Sequence, residues 1–175
     1  IAGFANREIK NCMNTGNVSG SKSNIGGIVG NLYSSGYGSK LTGCLNTGNV
    51  SATDDSIETV GALAGTKAKN DTGKALENCY FLAGTYTKAI GANSSDLDET
   101  TLIQLSELHS KRLIGLLGGA FASLDGSDVP VLKWQNPNAK SIVVFSVPEG
   151  ASVTLAGHSE VEPLVYVLEN GDYSY

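Results

Sequence analysis

The chain has 175 residues, of which 41% are apolar, enough for one sizeable core or a core plus a small module, and too many for a disordered chain. Its net charge of −5, with no block of Lys or Arg, argues against a nucleic-acid partner, and its longest apolar run is far short of the roughly 20 residues of a membrane span. Glycine, at 22 residues, exceeds the average share and points to tight turns or close backbone approach.

In chain order, the first strong signal is Ile9-Lys-Asn-Cys-Met-Asn-Thr-Gly-Asn-Val18. It returns as Leu41-Thr-Gly-Cys-Leu-Asn-Thr-Gly-Asn-Val50, and a third, altered copy opens at Leu76 as Leu-Glu-Asn-Cys-Tyr-Phe-Leu-Ala-Gly. Cys12 and Cys44 are 44 − 12 = 32 positions apart, and Cys44 and Cys79 are 79 − 44 = 35. Between the copies, Ile25-Gly-Gly-Ile-Val-Gly30 is echoed by Val60-Gly-Ala-Leu-Ala-Gly65. Ile1-Ala-Gly-Phe-Ala5 reads as the tail of the same stretch, so the chain is expected to open in mid-repeat, with more coils before Ile1 in a parent protein.

Self-similarity at this period marks a stacked architecture. Helical repeats need apolar residues at i, i+3, i+4 and i+7, a pattern missing from these copies. They carry short apolar pieces separated by Gly, Asn, Ser, Thr and Asp, which predicts strand, turn, strand, turn. Asn-Thr-Gly-Asn is expected to close corners with residues that accept positive φ. The expected fold is mainly β: a β-solenoid of short parallel strands with a small helical cap and a short C-terminal antiparallel β element. The three cysteines should point the same way in successive coils as buried thiols. A disulfide between neighbouring coils is geometrically allowed; a metal site lacks the usual Cys-x-x-Cys or His partner.

Between these landmarks lie the candidate functional residues. Tyr33 and Tyr37 sit in a Gly/Ser connection and, with Tyr80, form the candidate platform for a sugar or protein. Asp54, Asp55 and Glu58 read as a solvated acidic turn, without the ligand spacing of a Ca²⁺ loop. Asn17-Val-Ser and Asn49-Val-Ser match the glycosylation pattern but read as turn chemistry. No G-x-S-x-G, H-E-x-x-H or phosphate-binding glycine motif occurs. The strands carry apolar residues, so single charges such as Glu58 and Glu77 are expected to lack a matched partner one coil away. No catalytic residue, metal ligand or cofactor is assigned.

From residue 95 to about 121 the pattern turns helical. Ser106 is the expected N-cap of a helix over 106–117, with Leu113, Leu116 and Leu117 on one face and Gly118-Gly119 ending it. That face is expected to cover the open end of the solenoid and so protect its strand edges. His109 reads as a helix-surface residue. Trp134 reads as cover or as a binding platform. Residues 136–140 read as a linker. Strands are expected at Ile142–Val147, Ser152–Ala156 and Pro163–Leu168, with turns at Pro148–Ala151 and Glu169–Asp172.

Asn11-Cys-Met-Asn-Thr-Gly-Asn-Val-Ser-Gly20 followed by Ile25-Gly-Gly-Ile-Val-Gly30 resembles the GLUG-type repeats of bacterial cell-surface proteins, which also occur beside secreted proteases that cleave immunoglobulin A. The resemblance covers about residues 1–92; Phe81-Leu82-Ala83 departs from it. Asp128-Val-Pro-Val-Leu-Lys-Trp-Gln135 is similar to the strand that closes such repeats, and residues 140–175, with Pro148-Glu-Gly-Ala151, resemble the first half of a PEGA-like β-sandwich module. The resemblance implies two regions, 1–136 and 140–175. It also implies an extracellular, non-catalytic structural or adhesive role, or else a carbohydrate- or protein-binding accessory domain of a secreted enzyme. The partner would be a glycan or protein, with further repeats N-terminal and further strands C-terminal in the parent chain.

Overall fold

A computed structural model describes residues 1–33, 38–69, 73–92, 100–127 and 129–169. Tyr37, the expected acidic approach at Asp96, Asp98 and Glu99, the start of the closing strand at Asp128, and Asn170–Asp172 of the last turn lie outside the described residues. The fold is mainly β, and the chain divides into two compact units, Ile1–Leu105 and Ser106–Tyr175.

In the first unit the strands are very short. The first coil holds β1 (Ala2–Ala5), β2 (Ile9–Lys10), β3 (Met13–Asn14), β4 (Val18–Gly20) and β5 (Ile25–Gly26). The second holds β6 (Val29–Leu32), β7 (Leu41–Thr42), β8 (Leu45–Asn46), β9 (Val50–Ala52) and β10 (Val60–Gly61). Then follow β11 (Ala64–Lys67), β12 (Leu76–Glu77), β13 (Cys79–Leu82), β14 (Ile90–Ala92) and β15 (Thr100–Ile103). Every ladder among them is parallel: β1-β6-β11-β14, β2-β7-β12, β3-β8-β13-β15, β4-β9 and β5-β10. Ile9 pairs with Leu41 and Leu41 with Leu76, the same offsets as the cysteines. Ala2 pairs with Val29, so Ile1–Ala5 takes the register of Ile28–Leu32.

Local chemistry sets the corners, though not where the motif suggested. A left-handed residue stands directly before each cysteine: Asn11 (φ 55°), Gly43 (φ 57°) and Asn78 (φ 49°). Asn and Gly tolerate this region at little cost, so the chain bends there between β2 and β3 and at the equivalent places above. The Asn-Thr-Gly-Asn corner needs no positive φ. There the Asn46 side chain spans the turn, its Nδ2 donating to Gly48 O (2.9 Å) and its Oδ1 accepting from Gly48 N (3.3 Å). Gly48 is required by closeness, since a Cβ on it would lie 2.0 Å from Gly16 O in the coil before.

The core lies in the middle of the stack. Ile28, Val29, Leu32, Leu41, Cys44, Leu45 and Leu63 are fully buried, whereas Ala2, Ala5, Ile9 and Cys12 of the first coil are only partly covered. Phe81 stands in register with Asn46 and is buried, so the asparagine column stops there.

The second unit contains α1 (Leu105–Leu108, beginning at its boundary), α2 (Lys111–Leu117), β16 (Phe121–Ala122), β17 (Val131–Leu132), a 3-10 turn at Lys133–Gln135, β18 (Ser141–Val144) and β19 (Val165–Leu168). β16 pairs with β17, and β18 with β19, both antiparallel. The single helix expected over 106–117 is two helices, and Thr100–Ile103, expected within the helical stretch from residue 95, is instead strand β15, paired with β13. Ser106 caps neither; α2 starts after Ser110, where the Glu162 carboxylate accepts from Lys111 N, Arg112 N (3.2 Å) and Ser110 Oγ (2.9 Å). A carboxylate at this end satisfies orphan amides and suits the helix dipole. Leu113, Ile114 and Leu117 are buried, Leu116 is exposed, and Gly115 lies against Val144 and Ile142 of β18.

Pro148–Ala151 is a turn as expected, closed by Ala151 N on Pro148 O (3.1 Å). Ser152–Ala156 is no strand. Its Leu155 is still buried, and the Tyr166 hydroxyl donates to Val153 O (3.0 Å), so a side chain replaces ladder pairing. Phe145 meets Tyr166 edge-on at 5.7 Å between centroids.

Candidate functional site

Three features of the first unit carry side-chain chemistry. The first is a cross-coil polar column. Asn14 Nδ2 donates to Asn46 Oδ1 at 2.7 Å, and Asn49 N donates to Asn17 Oδ1 at 3.0 Å. Asn46 is 0% exposed. Both sequon asparagines thus lie within the stacked corners.

The second is a charged face. Lys10, Thr42 and Glu77 share one register row, and Glu8 and Lys40 flank it. Lys40 Nζ reaches Glu77 at 2.8 Å and Glu8 at 3.5 Å; Lys10 Nζ reaches Glu8 at 2.7 Å, and Thr42 Oγ1 donates to Glu8 at 2.7 Å. Glu77, expected to lack a partner one coil away, has one in Lys40. The repeat comparison missed it because Lys40 precedes β7 and reaches diagonally. The hydrogen bonds from Lys10 and then Thr42 hold Glu8 down at about 2, and Lys40 lowers Glu77. Both carboxylates are therefore ionised near neutrality, unsuited to donating a proton. The Glu8 interaction stabilises above the unfolded carboxyl value of about 4.3 and is lost as pH falls towards 2. A ¹³C titration should place the Glu8 midpoint near 2, and Lys10→Ala should return it towards the ordinary carboxylate range. A wild-type midpoint near 4 would refute the bridge.

The third is an aromatic pair. Tyr33, just after β6, stacks on Phe4 of β1 with centroids 5.5 Å apart and planes 30° from parallel. They are 47% and 56% exposed. Tyr33 N donates to Ala5 O (2.8 Å), which fixes the backbone under the pair. Tyr80 belongs to another ladder, in register with Leu45 and Thr101, and is half-buried; burial raises its hydroxyl pKa. Tyr33 and Tyr80 are thus on separate ladders, and Tyr37 is outside the described residues. Phe4 was overlooked as a site residue. Aligning Ile1–Ala5 with Ile28–Leu32 would have found it, one coil from Asn31.

Elsewhere, Asp54 Oδ1 accepts from Ser56 N at 2.8 Å, closing its own turn, and that bond lowers its pKa. Among the described residues, no three His, Cys, Asp or Glu side chains converge on a metal position. Nor is any helix there long and apolar enough to cross a membrane. In the second unit, His109 and Trp134 are exposed, Trp134 at 76%.

The cysteines are free, with Cys44 and Cys79 buried and Cys12 half-covered. Each thiol donates to the carbonyl two residues before it: Cys12 to Lys10 O (3.3 Å), Cys44 to Thr42 O (3.5 Å) and Cys79 to Glu77 O (3.3 Å). The Cys79 contact, then burial, pushes the Cys44 thiol up; burial raises Cys12. A disulfide reagent should modify Cys12 slowly in the native protein and leave Cys44 and Cys79 untouched until unfolding. Equal reaction at all three would refute this packing.

No protein-family model, curated protein or solved structure matches the chain.

Proposed function

We propose that this chain is a non-catalytic structural or adhesive module, a β-solenoid of GLUG-like repeats followed by part of a PEGA-like module, on the outside of a bacterial cell or secreted from it. The observation that carries this reading is how polar side chains on the stack are used. Asn14, Asn46, Asn17, Glu8, Lys40 and Glu77 are bonded to neighbouring coils. Groups held this way stiffen a stack and leave few free for chemistry.

A second reading, a carbohydrate- or protein-binding accessory domain, is favoured by one observation, the exposed Phe4–Tyr33 pair. Aromatic faces offer stacking area to pyranose rings and apolar side chains. The test is a glycan array with the wild type, Tyr33→Ala and Phe4→Ala, alongside a panel of polysaccharide and peptide substrates with and without Ca²⁺ and Zn²⁺. The structural reading expects no turnover and no aromatic-dependent glycan signal. A signal lost in both variants would establish the accessory reading. Turnover abolished at Asp54, Asp55 or Glu58 would overturn both.

A further inference from the structure

The three cysteines share one repeat position, and two of them belong to the interior of a ladder. β8 and β13 lie between β3 on one side and β15 on the other, with Leu45 opposite Tyr80 and Asn46 opposite Phe81. One residue before those pairs, Cys44 stands opposite Cys79, and the Tyr80 amide donates to Cys44 O at 2.8 Å. Both cysteines sit in the core, at 0% and 1% exposure. Parallel neighbours are about 4.8 Å apart, inside the Cα range of roughly 4.4–6.8 Å that a disulfide spans.

The two side chains are also presented alike. Gly43 and Asn78 turn the chain left-handed directly before them. Each thiol then folds back on the carbonyl two residues earlier, Thr42 O at 3.5 Å and Glu77 O at 3.3 Å, and Thr42 and Glu77 are themselves in register. The sulfurs therefore lie side by side on one face. Cys44 feels Cys79 more strongly than it feels burial, and a hydrogen bond from Cys44 holds the Cys79 thiol below its ordinary value. For Cys12, burial comes first and Cys44 after it.

We infer that Cys44 and Cys79 are a site of oxidative modification, where a small-molecule disulfide joins them into a cross-link between the second and third coils as the chain folds. One cysteine thiolate attacks the small disulfide, which releases one small thiol and leaves a mixed disulfide. The other cysteine thiolate attacks the protein sulfur of that intermediate and releases the second small thiol. Two electrons and two protons pass from the cysteines to the small disulfide, which leaves as two thiols. The reaction belongs to folding, because the finished stack shuts both sulfurs from solvent. The same burial then keeps a reductant out, so the redox state met during folding is retained. This tie goes beyond the structural reading and closes a loop of 79 − 44 = 35 residues. A cross-link that closes a loop of this length takes much conformational freedom from the unfolded chain.

The test refolds the full chain from denaturant in a mixture of oxidised and reduced glutathione, with refolding in excess reductant as the reference. Tryptic mapping of the glutathione product should link residues 41–67 to residues 75–88, the pair being lighter by two hydrogens than its two peptides, with Cys12 on residues 11–22 outside the link. The cross-linked stack should melt roughly 10 °C above the reduced one. Cys12→Ser should keep the cross-link and Cys79→Ser should lose it. Protein already folded in its reduced form should not acquire it in the same glutathione mixture. A link from 11–22 to 41–67, a folded product without any link, a cross-linked product that melts below the reduced one, or rapid linking of the folded protein would each overturn the inference. Because the buffer supplies the oxidant, failure would leave the structural and adhesive reading standing.

Discussion

Gly61→Ala should abolish the native stack of the first unit. Gly61 pairs with Gly26 between coils, and a Cβ on it would lie 2.2 Å from Ala64 O, 2.6 Å from Gly91 N and 2.8 Å from Ala89 O. All three are backbone atoms fixed in the neighbouring chain path, so no rotamer change relieves the contact. Overpacking against a side chain costs roughly 1–3 kcal/mol, and an unyielding backbone places this substitution at or above the upper end. Thermal unfolding followed by circular dichroism should show a fall of many degrees or no folded baseline. Gly3→Ala is the control, because nothing lies within 4 Å of its added Cβ. Equal melting of the two variants would show that the coils do not approach as described.

Asn46→Ala is the second large effect. It removes the bonds to Gly48 N, Gly48 O and Asn14 Nδ2 at a site with no solvent access. Each buried polar group left unsatisfied costs about 1–3 kcal/mol, so a loss of roughly 2–4 kcal/mol is expected, with Asn14→Ala costing less because it is partly exposed. The double variant should cost less than the sum, since deleting both amides removes donor and acceptor together. Strict additivity in denaturant unfolding would show that the two amides are not coupled.

Asn46 also shows where motif reading reached and where it stopped. Two intact copies of Cys-x-Asn-Thr-Gly-Asn-Val place Asn14 and Asn46 at one repeat position, and parallel stacking then makes them neighbours. The bond between them was implicit in the spacing. The purpose of the motif's glycine was not, because Gly48 is required by Gly16 O in the coil before rather than by its own φ. Tyr33 was visible as an aromatic residue in a polar connection, but its partner Phe4 appears only once β1 is laid on β6. The charged face went unseen because Lys40 reaches Glu77 and Glu8 from outside the repeated strand positions.

The second unit was less legible for the same reason. Leucine spacing located a helix, and Gly118 its end. Its beginning depends on Glu162, 51 residues from Lys111. Ser152–Ala156 has the composition of a strand, yet it is held by Tyr166 rather than by a ladder.

The period and the shortness of the strands follow from the chain alone. They are decided by the steric preferences of a few adjacent residues and by a repeat that must bury one face against its neighbour. Which amide meets which carbonyl, which carboxylate is held ionised and which glycine can carry no side chain were decided only in the folded stack. Those contacts join atoms a full coil or more apart in sequence, and their distances exist only once the coils have closed on one another.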